Sequence, residues 1–136
     1  MSETQQRPTR LMVAGGGTGG HLFPGLAVAE VWANHGDADV VFLGSPTGME
    51  ADVVPKYGYP FYPLESRRLK NSSIKQRIAS LVRMPFIILR AWRIMRQTRP
   101  DCVLGVGGYV SGPAVLAASL SGIPTAVAEQ NARPGL

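Results

Sequence analysis

The sequence predicts an α/β protein built on a doubly wound parallel sheet of the Rossmann-like kind. Two observations carry this. Five short β-type runs alternate with helical or loop stretches along the 136 residues. The stronger runs are nearly continuous in apolar residues, as in strands covered on both faces. Strand and helix alternating at this spacing make βαβ units with right-handed crossovers, hence a parallel sheet with helices on each side.

The first strand is Arg10-Leu-Met-Val-Ala14, followed by a glycine run and a helix predicted over 24–35. Pro24 suits a first helical turn, where its missing N–H costs nothing. Asn34-His35-Gly36 reads as the C-terminal cap of that helix. The second strand is Asp39-Val-Val-Phe-Leu43, then a helix over 48–57 and a weaker third strand, Pro60-Phe-Tyr-Pro-Leu64. A long helix follows over 74–98, which Pro85 is expected to kink or divide. The fourth strand is Asp101-Cys-Val-Leu-Gly-Val106, and Ser111 is a candidate N-cap for a helix over 112–121 running on from Pro113. The fifth strand is Pro124-Thr-Ala-Val-Ala128. Residues 1–9 are expected to form a disordered tail and 10–136 one incomplete domain, because the chain stops a few residues after the fifth strand, where a crossover normally follows.

With 45% apolar and 17% charged residues the chain is too apolar to be disordered. Its single cysteine, Cys102, excludes an internal disulfide and fits a reducing compartment. Met1 to Arg10 is polar and resembles no signal peptide. No run of about 18 uncharged apolar residues is present to span a bilayer. These features read as cytosolic and globular. Two distant histidines and one cysteine give no metal-ligand spacing, so no metal and no cofactor is expected.

Charge is unevenly spread. Residues 65–100 hold ten Lys and Arg against one acid, Glu65, for +9, and the remainder carries −4. A basic block on a mildly acidic body points to an anionic partner for one face. Within it, Ile74, Ile78, Leu81, Val82, Pro85, Leu89 and Trp92 fall at helical spacing, surrounded by Arg77, Arg83, Arg90, Arg93, Arg96 and Arg99. Part of this segment must cover the sheet. Phe86, Ile87, Ile88 and Leu89 in succession cannot all face one way, and apolar surface bordered by arginines is the composition of an interfacial membrane helix. A pure core helix and a nucleic-acid surface are the alternatives. The second is disfavoured because stacking needs more aromatics than Trp92 supplies.

Gly15-Gly-Gly-Thr-Gly-Gly-His21 follows the first strand and leads into a helix. Glycines let backbone approach a ligand, and a helix N-terminus offers unpaired N–H groups and a positive dipole end, so this is an anion site in physical terms. A Walker loop would end in Gly-Lys-Ser/Thr, but His21 follows the last glycine. A dinucleotide fold would close its second strand with an acid for the ribose, and the next acid after Leu43-Gly44 is Glu50, which weakens that reading. Gly105-Val-Gly-Gly-Tyr-Val-Ser-Gly-Pro113 repeats the pattern after the fourth strand. In a Rossmann-like order 3-2-1-4-5 the two loops flank the topological switch point and face one crevice, with a pyrophosphate the natural occupant. Glu129-Gln-Asn131 lies on the same rim, either a plain polar loop or a hydrogen-bonding group for a sugar or nucleotide, with Glu129 a possible support for His21. His21 itself is a candidate general base or a hydrogen-bond donor.

These two loops and Glu129-Gln-Asn131, together with Met49-Glu-Ala-Asp-Val-Val-Pro55 and Pro100-Asp101, closely resemble the MurG family from about Arg10 to the end. These are the UDP-N-acetylglucosamine–N-acetylmuramyl-(pentapeptide) pyrophosphoryl-undecaprenol N-acetylglucosamine transferases of peptidoglycan synthesis. The resemblance implies the N-terminal half of a two-domain GT-B enzyme, inverting and metal-independent, working peripherally on the cytoplasmic face of the bacterial inner membrane. It implies that Thr18, Gly19, Gly20 and Asn131 line the donor (UDP-GlcNAc) side of a cleft. Gly16, Gly17, Gly107, Gly108, Tyr109 and Ser111 would lie near the pyrophosphate of undecaprenyl-pyrophosphoryl-MurNAc-pentapeptide. His21 matches a histidine near the chemistry, with Glu129 in support. The segment 74–93, including Ile74, Ile78, Leu81, Phe86, Leu89, Trp92, Arg77, Arg83, Arg90 and Arg93, matches a patch that associates with anionic membrane lipids. The C-terminal domain holding most of the donor would be missing, and no nucleic acid is implied. The rival readings are the acceptor-binding subunit of a two-chain glycolipid glycosyltransferase, a non-catalytic nucleotide-binding module, and a membrane-docking regulator that uses only 74–93.

Overall fold

The computed structural model of the protein describes residues 8–17, 19–65, 74–108 and 110–128. Five strands form one parallel sheet: β1 (Thr9–Ala14), β2 (Ala38–Gly44), β3 (Phe61–Pro63), β4 (Cys102–Gly105) and β5 (Thr125–Val127). Their order is β3-β2-β1-β4-β5, the order expected from the sequence. Leu11 pairs with Val40 on one side and with Cys102 on the other.

The apolar runs place β1 and β2 in the middle. Side chains alternate across a strand, so a continuous apolar run must be covered twice. Leu11, Val13, Val40 and Phe42 enter one buried cluster, while Met12, Ala14, Val41 and Leu43 enter the other. Helix α1 (Gly19–Ala33) and helix α2 (Met49–Lys56) supply Leu22, Leu26, Ala29 and Val54 to the first cluster. Helix α3 (Ile74–Thr98) and helix α4 (Ser111–Leu120) supply Ala91, Met95, Ala114, Ala117 and Ala118 to the second. The chain steps outward from β1 to β3, then returns to β4 beside β1. With every crossover right-handed, that reversal moves the later helices to the opposite face and makes the β1–β4 boundary the switch point.

Several details of the elements differ from expectation. Helix α1 opens at Gly19, so Pro24 is its sixth residue rather than its first. There it removes a bond to the Gly20 carbonyl, and the packing of Leu22, Leu26 and Ala29 holds the helix regardless. Helix α3 runs unbroken through Pro85. Ser111 is not an N-cap. It is the first residue of α4, after Val110 in helical geometry with no side-chain cap, and its side chain is buried. The first strand also begins at Thr9, inside the expected tail, where its N–H donates to the Asp37 carbonyl.

At the N-terminal edge of the sheet Arg10 clasps three segments. Its Nε and Nη2 donate to the two carboxylate oxygens of Asp39, each at 3.0 Å, and Nη1 donates to the Thr98 carbonyl at the end of α3. The Asp39 hydrogen bond raises the guanidinium pKa, while partial burial acts against it. A cation at a helix C-terminus also complements the helix dipole. The same helix end carries Arg99 at φ 50°, whose N–H closes on the Met95 carbonyl at 2.8 Å.

Candidate functional site

Because β1 and β4 are neighbours, the glycine loops that follow them meet at one rim. They are packed together rather than separated by an open crevice. The Gly16 N–H donates to the Gly107 carbonyl at 3.2 Å, and the Val106 N–H donates to the Ala14 carbonyl at 2.9 Å. A Cβ on Gly108, at φ 87°, would stand 2.5 Å from the Gly16 carbonyl oxygen. Only two glycine backbones approach this closely. The sequence signal of two glycine loops is therefore first a signal of loop-to-loop packing.

This packing redistributes the hydrogen-bond donors. The Gly15 N–H donates to the Leu43 carbonyl at 3.0 Å, the Gly16 N–H to Gly107, and the Gly17 N–H to Glu50 Oε2 at 2.7 Å. All three are engaged within the protein. Donors without an intrahelical partner lie further on, in the first turn of α1 at Gly19, Gly20 and His21. That turn also carries the positive end of the helix dipole. A helix N-terminus of this kind favours an anion.

His21 lies against the second loop, where a Cβ on Gly107 would come 3.0 Å from its Cδ2. Its Nδ1 is buried with no hydrogen-bond partner among the described residues. Ser111 is buried behind the second loop, its Oγ 2.6 Å from where a Cβ on Gly105 would stand. It therefore packs under the loop rather than opening onto the rim. Thr18, Tyr109, Glu129 and Asn131, the side chain of Arg77 and residues 1–7 of the expected tail lie outside the described residues.

Glu50 was not among the expected site residues: the sequence offered it as an acid too late for a ribose and as part of the Met49–Pro55 motif. It is 1% exposed, the second residue of α2, and its carboxylate accepts from the Gly17 N–H and from the Ser45 N–H at 2.9 Å. The available signal was an acid two residues after Gly48 and six after Gly44. That pattern leaves room for a side chain to turn back under the loop.

The expected membrane segment divides in two. From Ile74 to Phe86 no described residue is buried, and Ile74, Ile78, Leu81, Val82, Met84 and Phe86 are exposed. From Ile87 onward the helix packs on the sheet through Ile87, Ile88, Ala91, Trp92, Ile94 and Met95, while Leu89 stays exposed. Trp92 is thus half-buried and packs against the core cluster, with the Arg96 guanidinium 4.9 Å above its ring. Arg83 and Arg93 are exposed, and Arg90 lies 3.8 Å from Glu65 in an exposed ion pair. Among the described residues no helix is long and apolar enough to cross a membrane, and no cluster of His, Cys, Asp or Glu could hold a metal ion.

The sheet order and the paired glycine loops define a Rossmann-like domain, and the family match and the MurG superposition make it the N-terminal domain of a GT-B glycosyltransferase. The profile of the Glycosyltransferase family 28 N-terminal domain matches residues 11–136, and the chain belongs to that family. It is 54% identical over 128 residues to the UDP-N-acetylglucosamine–N-acetylmuramyl-(pentapeptide) pyrophosphoryl-undecaprenol N-acetylglucosamine transferase of Anaeromyxobacter dehalogenans (strain 2CP-1 / ATCC BAA-258), covering 93% of this chain and 33% of that relative. The protein of the same name from Myxococcus xanthus (strain DK1622) is 49% identical over 127 residues, again 93% of this chain and 33% of the relative. The crystal structure of Acinetobacter baumannii MurG superposes with a TM-score of 0.80 at 37% identity, over 95% of this chain and 37% of that one. The chain spans about a third of the length of the curated relatives it matches.

Proposed function

We propose that this chain is the acceptor-binding, membrane-facing part of a transferase that moves GlcNAc from UDP-GlcNAc to undecaprenyl-pyrophosphoryl-MurNAc-pentapeptide. The observation that carries the reading is the rim at the switch point, where the first turn of α1 offers Gly19, Gly20 and His21 above a glycine floor whose own amides are engaged. The names of the relatives and the family match support the substrate pair.

In this reading the acceptor C4 hydroxyl attacks the anomeric carbon of UDP-GlcNAc from the face opposite the diphosphate. The C–O bond to UDP breaks, the configuration inverts, and the hydroxyl proton passes to a base. His21 is the titratable side chain that the described part of this chain brings to the rim, resting on Gly107. The helix dipoles of α1 and α4 favour the acceptor pyrophosphate and fix its distance from the donor, which is where positioning contributes to rate. The exposed N-terminal half of α3, with Arg83 and Arg93 alongside, lies on anionic lipid at the cytoplasmic face of the inner membrane. The donor is held largely by a second domain.

The test is transfer of labelled GlcNAc to polyprenyl-pyrophosphoryl-MurNAc-pentapeptide. It is run with this chain alone and with this chain joined to the remaining two thirds of the Anaeromyxobacter relative. The expected result is no turnover alone and turnover when joined. No turnover in either, with tight binding of a free dinucleotide, would replace this reading with that of a nucleotide-binding module.

A further inference from the structure

Glu50 is the most deeply buried acid of the described residues, and the proposed reaction gives it no task. A buried carboxylate is costly unless its oxygens are hydrogen-bonded. Both are: Oε2 accepts from Gly17 in the loop after β1, and Oε1 accepts from Ser45 in the loop after β2. Charge-assisted bonds of this kind are about twice as strong as neutral ones.

Three glycines from three segments make the space. A Cβ on Gly16, Gly44 or Gly48 would meet the Glu50 carboxylate or its Cγ at 2.6, 2.5 or 2.4 Å. Gly44 lies within β2 and is not in the left-handed region, and Gly48 sits at φ −85° in extended backbone. Neither position needs glycine for its own conformation. What they share is the carboxylate between them.

We infer that Glu50 is a positioning residue for the glycine rim. Its carboxylate acts as an internal anion that takes the Gly17 N–H and ties it to Ser45, so that the loop turns the next donors, Gly19 and Gly20, outward. The structural half of this inference stands alone, whereas its consequence for anion binding rests on the proposed function. A glutamine cannot replace it. It offers one acceptor oxygen, and its NH2 group faces a second N–H donor.

The experiment follows amide hydrogen exchange by NMR in the 136-residue chain and in Glu50→Gln, with and without inorganic pyrophosphate. Loss of one charge-assisted bond is expected to speed exchange at Gly17 and Ser45 by about 10- to 100-fold. The strand amides of Val13 and Val41 should stay unchanged, because loops open locally without global unfolding. Pyrophosphate, read at the Gly19 and Gly20 amides, is expected to bind about tenfold more weakly or worse.

Uniform acceleration across the sheet would reduce Glu50 to a general stabilising group and overturn the inference. So would unchanged or tighter pyrophosphate binding, which is the outcome if removing a negative charge matters more than holding the loop. If the unaltered chain gives no pyrophosphate response, the anion role of the rim falls with the proposed function, and the exchange pattern alone decides the clamp. Should Glu50→Gln fail to fold, Gly44→Ala provides the second route. Its methyl displaces the carboxylate and is expected to loosen Gly17 and Ser45 in the same way. Unchanged exchange at both amides in that variant would overturn the clamp.

Discussion

Gly15→Ala is expected to lower the melting temperature by roughly 10–20 °C. Gly15 sits at φ 129°, and an added Cβ would stand 2.2 Å from the Gly107 carbonyl oxygen and 3.0 Å from Val106 Cγ2. The obstacle is backbone, and that backbone is fixed, since the same carbonyl accepts the Gly16 N–H at 3.2 Å. The methyl must therefore hold a side chain in a glycine-only conformation, at about 1–3 kcal/mol. It must also push the two loops apart, losing a buried hydrogen bond of about 1 kcal/mol and the packing around it. The sum is roughly 3–5 kcal/mol, and a domain of this size loses about 3–5 °C per kcal/mol. Gly112→Ala is the control. Nothing lies within 4 Å of its added Cβ, its φ is unstrained and it is helical, so the melting temperature should rise by a few degrees. Thermal melts of both variants check the pair. A Gly15→Ala melt within about 3 °C of the parent would mean the loops are not locked together.

The sheet was legible because its central strands announce themselves. Leu11 to Ala14 and Val40 to Leu43 alternate between two cores, and only a doubly covered parallel sheet accepts such a run. The glycine loops were legible as well, but their meaning shifted. Composition marks where backbone approaches something closely, not what it approaches, and here much of what it approaches is the other loop. The start of α1 was misplaced because glycine and proline carry strong local preferences that tertiary packing overrides. Gly19 and Gly20 enter a helix and Pro24 sits inside one, because Leu22, Leu26 and Ala29 gain the core by it. Pro85 failed to divide α3 although no described residue beside it is buried on its N-terminal side. Glu50 was invisible for a different reason. Its partners are two backbone N–H groups, which carry no residue identity, and the three glycines around it are spread over 33 positions of chain.

Replacing Leu81 and Phe86 together by Ser is expected to weaken binding to phosphatidylglycerol-containing vesicles by about 30- to 1,000-fold while barely changing the melting temperature. Leu81 is 73% and Phe86 67% exposed, so folding makes little use of either. Seated in the acyl boundary, each would contribute about 1–2 kcal/mol, part of the full value for burying such a side chain. The arginines alongside supply roughly 1 kcal/mol apiece near an anionic surface, and salt screens that share. Arg90 supplies less, because Glu65 lies 3.8 Å from it. Trp92→Ser belongs to another class. Trp92 packs against the core cluster, so its loss should lower the melting temperature as well. The two effects separate the surfaces: Leu81 and Phe86 report on the lipid, Trp92 on the fold. A nucleic-acid partner would depend on the same arginines and on salt, but scarcely on Leu81 and Phe86. If the double Ser variant still sedimented with the vesicles as the parent does, the exposed half of α3 would have to face something other than lipid.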